Sequence, residues 1–119
     1  DWGFAGDYVE AMWLMMQQSK PDDYVIATGE SHSVEEFLSL ATEIAGLGDW
    51  HDFVEIDKEL IRPTDIEDLI GDSTKAQKEL GWKPKINFKE IVKLMVEHDI
   101  DFFRHKMDPF EINNNLKHD

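Results

Sequence analysis

Three capping boxes constrain this chain more than any other feature of its sequence. In each, a short polar residue stands three positions ahead of a glutamate, at the edge of an apolar run: Asp7 with Glu10, Ser33 with Glu36, and Asn87 with Glu90. The polar side chain accepts from the N–H three residues on, and the glutamate reaches back to the N–H of the cap, so donors left open at a helix start are satisfied locally. After Asp7, the residues Tyr8, Val9, Met12, Trp13, Met15 and Met16 recur at helical spacing and predict a helix to about Gln18. After Ser33, Phe37, Leu38, Ala41, Ile44 and Ala45 form the next stripe, and Gly46 stops it. After Asn87, Phe88, Ile91, Val92, Met95 and Val96 predict a helix running to Phe102 or Phe103. A shorter helix, capped by Asp72 or Ser73, runs through Leu80 and ends at Gly81, with Trp82 folding back on its last turn.

Between these helices, Lys20-Pro21-Asp22-Asp23 reads as a turn. Tyr24-Val25-Ile26-Ala27-Thr28 is β-branched and nearly all apolar, which suits a strand buried on both faces, and Phe53-Val54-Glu55-Ile56 reads as a second short strand. Strand, helix, strand with short links predicts a crossover and a parallel pairing. The expected fold class is therefore α/β: several helices with a few short, mainly parallel strands. The methionine-rich face of the first helix is expected to pack into the core, although Trp2, Trp13, Met12, Met15 and Met16 are generous for so small a core and part of this apolar surface is expected to stay exposed in the chain alone. Residues 1–106 are read as one folded unit and 107–119, with its Asn113-Asn114-Asn115 run, as a polar tail expected to be disordered.

Charge narrows the function classes. The formal net charge of −14 argues against nucleic acid and against an anionic membrane surface as partners. No apolar run approaches the ~18 residues of a membrane-spanning helix, and the absence of cysteine leaves no disulfide framework and no thiolate nucleophile, which fits the cytoplasm. The five histidines, His32, His51, His98, His105 and His118, match no metal-motif spacing and read as scattered surface residues, so no metal is expected. No glycine loop of the phosphate-cradling kind follows a strand, and neither Tyr8 nor Tyr24 is followed four residues on by Lys. Ser31 or Ser33 with His32 lacks a nucleophile-elbow setting. No catalytic residue is assigned.

One candidate binding residue remains. Arg62, beside Pro63, is one of only two arginines, the other being Arg104. Pro63 biases it toward an extended backbone, from which a guanidinium can fork two hydrogen bonds onto a phosphate. Asp65, three residues on, can accept from sugar hydroxyls. The competing reading is a surface arginine paired with Asp65 or Glu67.

Several stretches resemble one family. Asp1-Trp2-Gly3-Phe4-Ala5-Gly6-Asp7-Tyr8-Val9-Glu10-Ala11-Met12-Trp13 is similar to the segment opening the C-terminal part of GDP-mannose 4,6-dehydratases. Pro21 to Glu30, the cap Ser33, Arg62-Pro63-Thr64-Asp65, Gly71-Asp72-Ser73-Thr74-Lys75-Ala76 and Leu80-Gly81-Trp82-Lys83-Pro84 continue the likeness in order, over about residues 1 to 103. The resemblance implies the small C-terminal, GDP-sugar-binding lobe of an extended short-chain dehydrogenase/reductase. The complete enzyme would convert GDP-mannose to GDP-4-keto-6-deoxymannose, bind NADP in an N-terminal Rossmann domain absent from this chain, carry its catalytic residues there, and form homo-oligomers. This chain alone would be inactive and hold no cofactor. The position of Arg62 implies a pyrophosphate contact and that of Asp65 a place near the ribose, although the family usually has the longer Glu there. The connector between Gly46 and Val54 is shorter than in most members, which keeps a related GDP-4-keto-6-deoxyhexose reductase as an alternative. A free-standing, non-catalytic binding domain is the other.

Overall fold

The computed structural model describes residues 1–60 and 69–106, with side chains through Arg104. Four helices carry the fold: α1 (Ala5–Met16), α2 (Val34–Ala45), α3 (Thr74–Leu80) and α4 (Phe88–Lys106), with short 3₁₀ turns at Trp50–Asp52 and Lys58–Leu60. Helix α1 packs on α3, and α2 packs on α4.

Two of the capping boxes form as the sequence predicts. Ser33 Oγ accepts from the Glu36 N–H at 3.1 Å while the Glu36 carboxylate accepts from the Ser33 N–H at 2.7 Å. Asn87 and Glu90 repeat the exchange at 2.9 and 3.1 Å. Gly46 and Gly81 close their helices at φ 70° and 68°, a left-handed conformation that costs glycine nothing. At α3, Ser73 occupies the cap position without a side-chain cap bond, and Asp72 accepts from the Thr74 N–H at 2.9 Å instead. That contact with Thr74 lowers the Asp72 pKa. Helix α4 runs one turn beyond the expected Phe103.

The first box does not form. Helix α1 begins three residues earlier, with Phe4 as a cap that offers no side-chain bond. Asp7 is only 5% exposed and turns inward, accepting from the N–H groups of Lys85 at 2.8 Å and Ile86 at 3.1 Å. Its carbonyl accepts from Trp82 Nε1 at 2.8 Å. Glu10 pairs with the Lys85 ammonium on the surface. Two distant, partly buried N–H donors thus outcompete the local cap for the buried carboxylate.

This connection seats the core. Trp82 is 2% exposed and packs with Ala11, Ala76 and Leu80, ringed by Tyr8, Leu14, Met15, Tyr24 and Ile26. Beyond the connector, Phe88 and Ile91 are buried at the start of α4, and Trp2, Phe37 and Phe88 pack their rings together with centroids 5.2 to 6.2 Å apart.

The α/β expectation is overturned: no strand occurs among the described residues. Residues 24–28 carry no strand hydrogen-bond ladder, because the N–H groups of Thr28 and Gly29 go to the Asp1 carboxylate rather than to a neighbouring backbone. Around Phe53, burial of Trp50 winds the chain into a 3₁₀ turn, and the N–H groups of Phe53 and Val54 both point back to the Trp50 carbonyl. A backbone committed to a local turn has no donors left for a ladder.

The expectation that the methionine face of α1 packs into the core fails in part. Met15 lies against the core, but Val9, Met12, Trp13 and Met16 stand 61%, 60%, 61% and 82% exposed. Their spacing puts all four on one face of the helix. The expected tail at 107–119 lies outside the described residues.

Replacing Asp7 by Ala removes the acceptor from two N–H groups at the connector. Asp7→Ala is expected to destabilise the chain by about 3 kcal/mol, whereas Glu10→Ala, which loses only a surface pair, costs about 0.5 kcal/mol or less. Urea unfolding followed by tryptophan fluorescence checks both; equal midpoints for the two variants would contradict the assignment.

Candidate functional site

Asp1 gathers three parts of the chain at one carboxylate. Its Oδ1 accepts from the Thr28 N–H at 2.9 Å and the Thr28 hydroxyl at 2.6 Å. Its Oδ2 accepts from the N–H groups of Gly29 at 2.9 Å and Gly71 at 3.2 Å. Gly29 needs its left-handed φ of 83° to present that N–H on leaving the extended segment. Gly71 lies so close to residues 24–28 that a Cβ there would stand 2.3 Å from the Cβ of Ala27. The two segments approach as neighbouring strands do, yet a side chain takes the donors.

Arg62 and Asp65, the two residues singled out from the sequence, lie outside the described residues. What is described is Gly71, downstream of them, fixed beside the Thr28–Gly29 turn. Sequence reasoning did not find Asp1 or Thr28. An aspartate ahead of Trp2 carries no local signal of where its donors come from, since they lie 27, 28 and 70 positions away.

A cavity of about 930 Å³ opens beside this turn, between the start of α2 and the start of α4, lined by Glu30, His32, Ser33, Glu35, Glu36, Ser39, Leu40, Glu43, Asn87, Phe88 and Lys89. His32 is not a scattered surface residue. Its ring stacks on Phe88 with centroids 3.8 Å apart and 7° between planes. Glu36 lies 3.6 Å from Nδ1 and Glu30 3.6 Å from Nε2, too far for hydrogen bonds. Nε2 is buried without a hydrogen-bond partner.

The chemistry of this cavity disfavours a phosphate. Four carboxylates line it against the one ammonium of Lys89, and the N–H of Glu36 that α2 might offer an anion is already taken by Ser33. Among the described residues no cluster of three His, Cys, Asp or Glu is arranged to hold a metal ion, and no helix is long and apolar enough to cross a membrane.

Comparison with known proteins gives one consistent result. The family model described as GDP-mannose 4,6 dehydratase matches residues 1–95. The chain is 60% identical over 101 residues to GDP-mannose 4,6 dehydratase 1 of Arabidopsis thaliana, a stretch covering 85% of this chain and 28% of that protein. It is 45% identical over 120 residues to the GDP-mannose 4,6 dehydratase of Dictyostelium discoideum, covering 87% of this chain and 34% of that protein. Against the Homo sapiens GDP-mannose 4,6 dehydratase it is 43% identical over 122 residues, covering 87% and 32%. The chain spans about a third or less of the length of these relatives. The Dictyostelium and human alignments are longer than the stretch of this chain they cover, so they include insertions that this chain lacks; the Arabidopsis alignment is not.

The setting of His32 generates a stability prediction. Phenylalanine keeps the stack on Phe88 and removes a buried nitrogen that has no partner. His32→Phe is expected to raise stability by about 1 kcal/mol, from relief of an unsatisfied polar group. Thermal melting at neutral pH checks it; a clear loss of stability would mean that the ring nitrogens hold partners of their own.

Proposed function

The chain belongs to the GDP-mannose 4,6 dehydratase family, and from that premise we propose that it is the GDP-sugar-binding part of an enzyme converting GDP-mannose to GDP-4-keto-6-deoxymannose. The observation that carries this reading is the family match over residues 1–95. In this reading the overall reaction is a lyase conversion within nucleotide-sugar metabolism in the cytoplasm. C4 of the sugar is oxidised to the ketone, water is lost across C5 and C6, and C6 is reduced by the hydride equivalent taken from C4, so the net loss is one water. The short connector after Gly46 does not favour a reductase, because a plant protein named as a dehydratase aligns to this chain without extra residues.

The roles divide as follows. Arg62 forks onto the pyrophosphate of GDP, supplying a fixed cation in a chain of net charge −14. Asp65 accepts from the ribose hydroxyls. NADP is the cofactor of the complete enzyme, and the described residues do not fit it: the turn at Gly29 leads into a helix start flanked by Glu30, Glu35 and Glu36, which repels phosphate. In this reading the cofactor and the catalytic residues belong to a dehydrogenase-type domain in the part of the relatives that this chain does not cover. The exposed face of Val9, Met12, Trp13 and Met16 on α1 is the surface that meets this domain, since an apolar stripe of that extent seeks a partner. The complete enzyme is a homo-oligomer, with subunit contacts largely in the uncovered part.

Two measurements test this reading. The chain alone, incubated with GDP-mannose and NADP, is expected to yield no 4-keto sugar; its appearance would contradict the division of roles. In the complete protein, Arg62→Ala is expected to weaken GDP and GDP-mannose together by about 30- to 1,000-fold, equivalent to roughly 2–4 kcal/mol for a truncated charge-assisted contact. Calorimetric titration of GDP reads this directly, with circular dichroism checking the fold. Equal affinities in two folded proteins would return Arg62 to a surface ion pair.

A further inference from the structure

We infer that His32 is a proton-operated latch: when its ring takes up a second proton, it ties the entry to α2 to the start of α4 through Glu30, Glu36 and the face of Phe88. The latch is built from described residues alone and does not depend on the family reading.

His32 stands one residue ahead of the Ser33 cap, and its ring lies flat on Phe88, the first residue of α4, with centroids 3.8 Å apart and planes 7° apart. Phe88 in turn packs with Trp2 and with Phe37 of α2. A carboxylate oxygen stands 3.6 Å from each ring nitrogen, Glu36 Oε2 at Nδ1 and Glu30 Oε2 at Nε2. A neutral imidazole carries one N–H and one lone pair, and a carboxylate only accepts. Whichever nitrogen holds the proton, the other therefore meets a carboxylate with a lone pair. Neither tautomer can serve both sides, and among the described residues Nε2 is buried with no hydrogen-bond partner. An imidazolium donates at both nitrogens and matches both carboxylates at once. Closing each gap takes a shift of about 0.5 Å to reach hydrogen-bond length.

The charges around the ring favour the cation. Glu30 comes from the segment ahead of α2, Glu35, Glu36 and Glu43 from α2, Lys85 from the connector and Lys89 from α4. The Lys85 ammonium is already paired with Glu10. Phe88 adds the negative face of its ring beneath the cation. The latch also leaves the α2 cap intact. Glu36 Oε2 accepts from the Ser33 N–H, and a carboxylate oxygen has room for a second donor. Glu30 and Glu36 are more than half exposed, so the gain is modest in size.

Urea unfolding of the chain and of His32→Phe, each at about pH 8 and about pH 5.5, brackets the range in which histidine changes charge. Other titrating groups are common to both proteins and cancel in the comparison. A folded state that holds a proton more tightly than the unfolded chain gains stability as pH falls. The unfolding constant of the chain relative to that of His32→Phe is therefore expected to drop about fivefold from the higher pH to the lower. In a Glu30→Gln background, which keeps the α2 cap, the same comparison is expected to give a drop of only about twofold. A ratio that stays constant or rises in acid overturns the inference. So does a full fivefold drop in the Glu30→Gln background, since Glu30 would then play no part. If His32→Phe does not fold, nitrogen NMR of the unaltered chain with isotope-labelled histidine decides. Two slowly exchanging ring N–H signals from His32 at the lower pH, against at most one at the higher, support the latch; none, or one alone, at the lower pH overturns it.

Discussion

The buried carboxylate of Asp7 is the contact on which this structure most depends. It sits in the first turn of α1 and accepts the N–H groups of a connector 78 and 79 positions away. That connector follows Trp82, whose indole is buried among α1 and α3 and donates to the Asp7 carbonyl. The same connector delivers the chain to Asn87, where α4 begins and builds its packing with α2. Without the carboxylate, two partly buried donors lose their acceptor at the joint between the two helix pairs. Asp1 repeats the device at the other side, taking N–H groups from Thr28, Gly29 and Gly71.

The parts of this architecture legible in the sequence are those whose bonds close within one helical turn. Ser33 with Glu36 and Asn87 with Glu90 form because, among the described residues, no distant N–H donor is bonded to their oxygens. The same pattern at Asp7 and Glu10 is misread for the opposite reason, since the N–H groups of Lys85 and Ile86 lie within reach once the chain folds. Strand composition at residues 24–28 reports a preference for extended backbone, and a sheet further requires a neighbour with free donors and acceptors. Here the neighbouring donors at Gly71 and Gly29 converge on Asp1 instead. Phe53 and Val54 lose their strand to the turn that buries Trp50.

The site was less legible than the fold. Arg62 stands out because cations are scarce in this chain, and Asp65 because of its spacing from Arg62; both lie outside the described residues. Asp1 and Thr28 could not be found locally, because their significance is a convergence of distant segments. His32 looked like one surface histidine among five; among the described residues its buried Nε2 sets it apart, since His51 also stacks on an aromatic ring, that of Trp50. Among the described residues, four carboxylates line the cavity beside α2, and Val9, Met12, Trp13 and Met16 leave an apolar face of α1 exposed.

That carboxylate-to-amide ties, and not a sheet, hold this lobe together is the central claim, and residue-resolved amide hydrogen exchange on the isolated chain tests it most directly. The account predicts slow exchange at Thr28, Gly29, Gly71, Lys85 and Ile86, comparable to the interior of α1, with fast exchange at Val25, Ile26 and Ala27. Alternate or continuous protection through residues 24–28, together with rapid exchange at Lys85 and Ile86, would mean that a β-ladder organises the lobe and would contradict it.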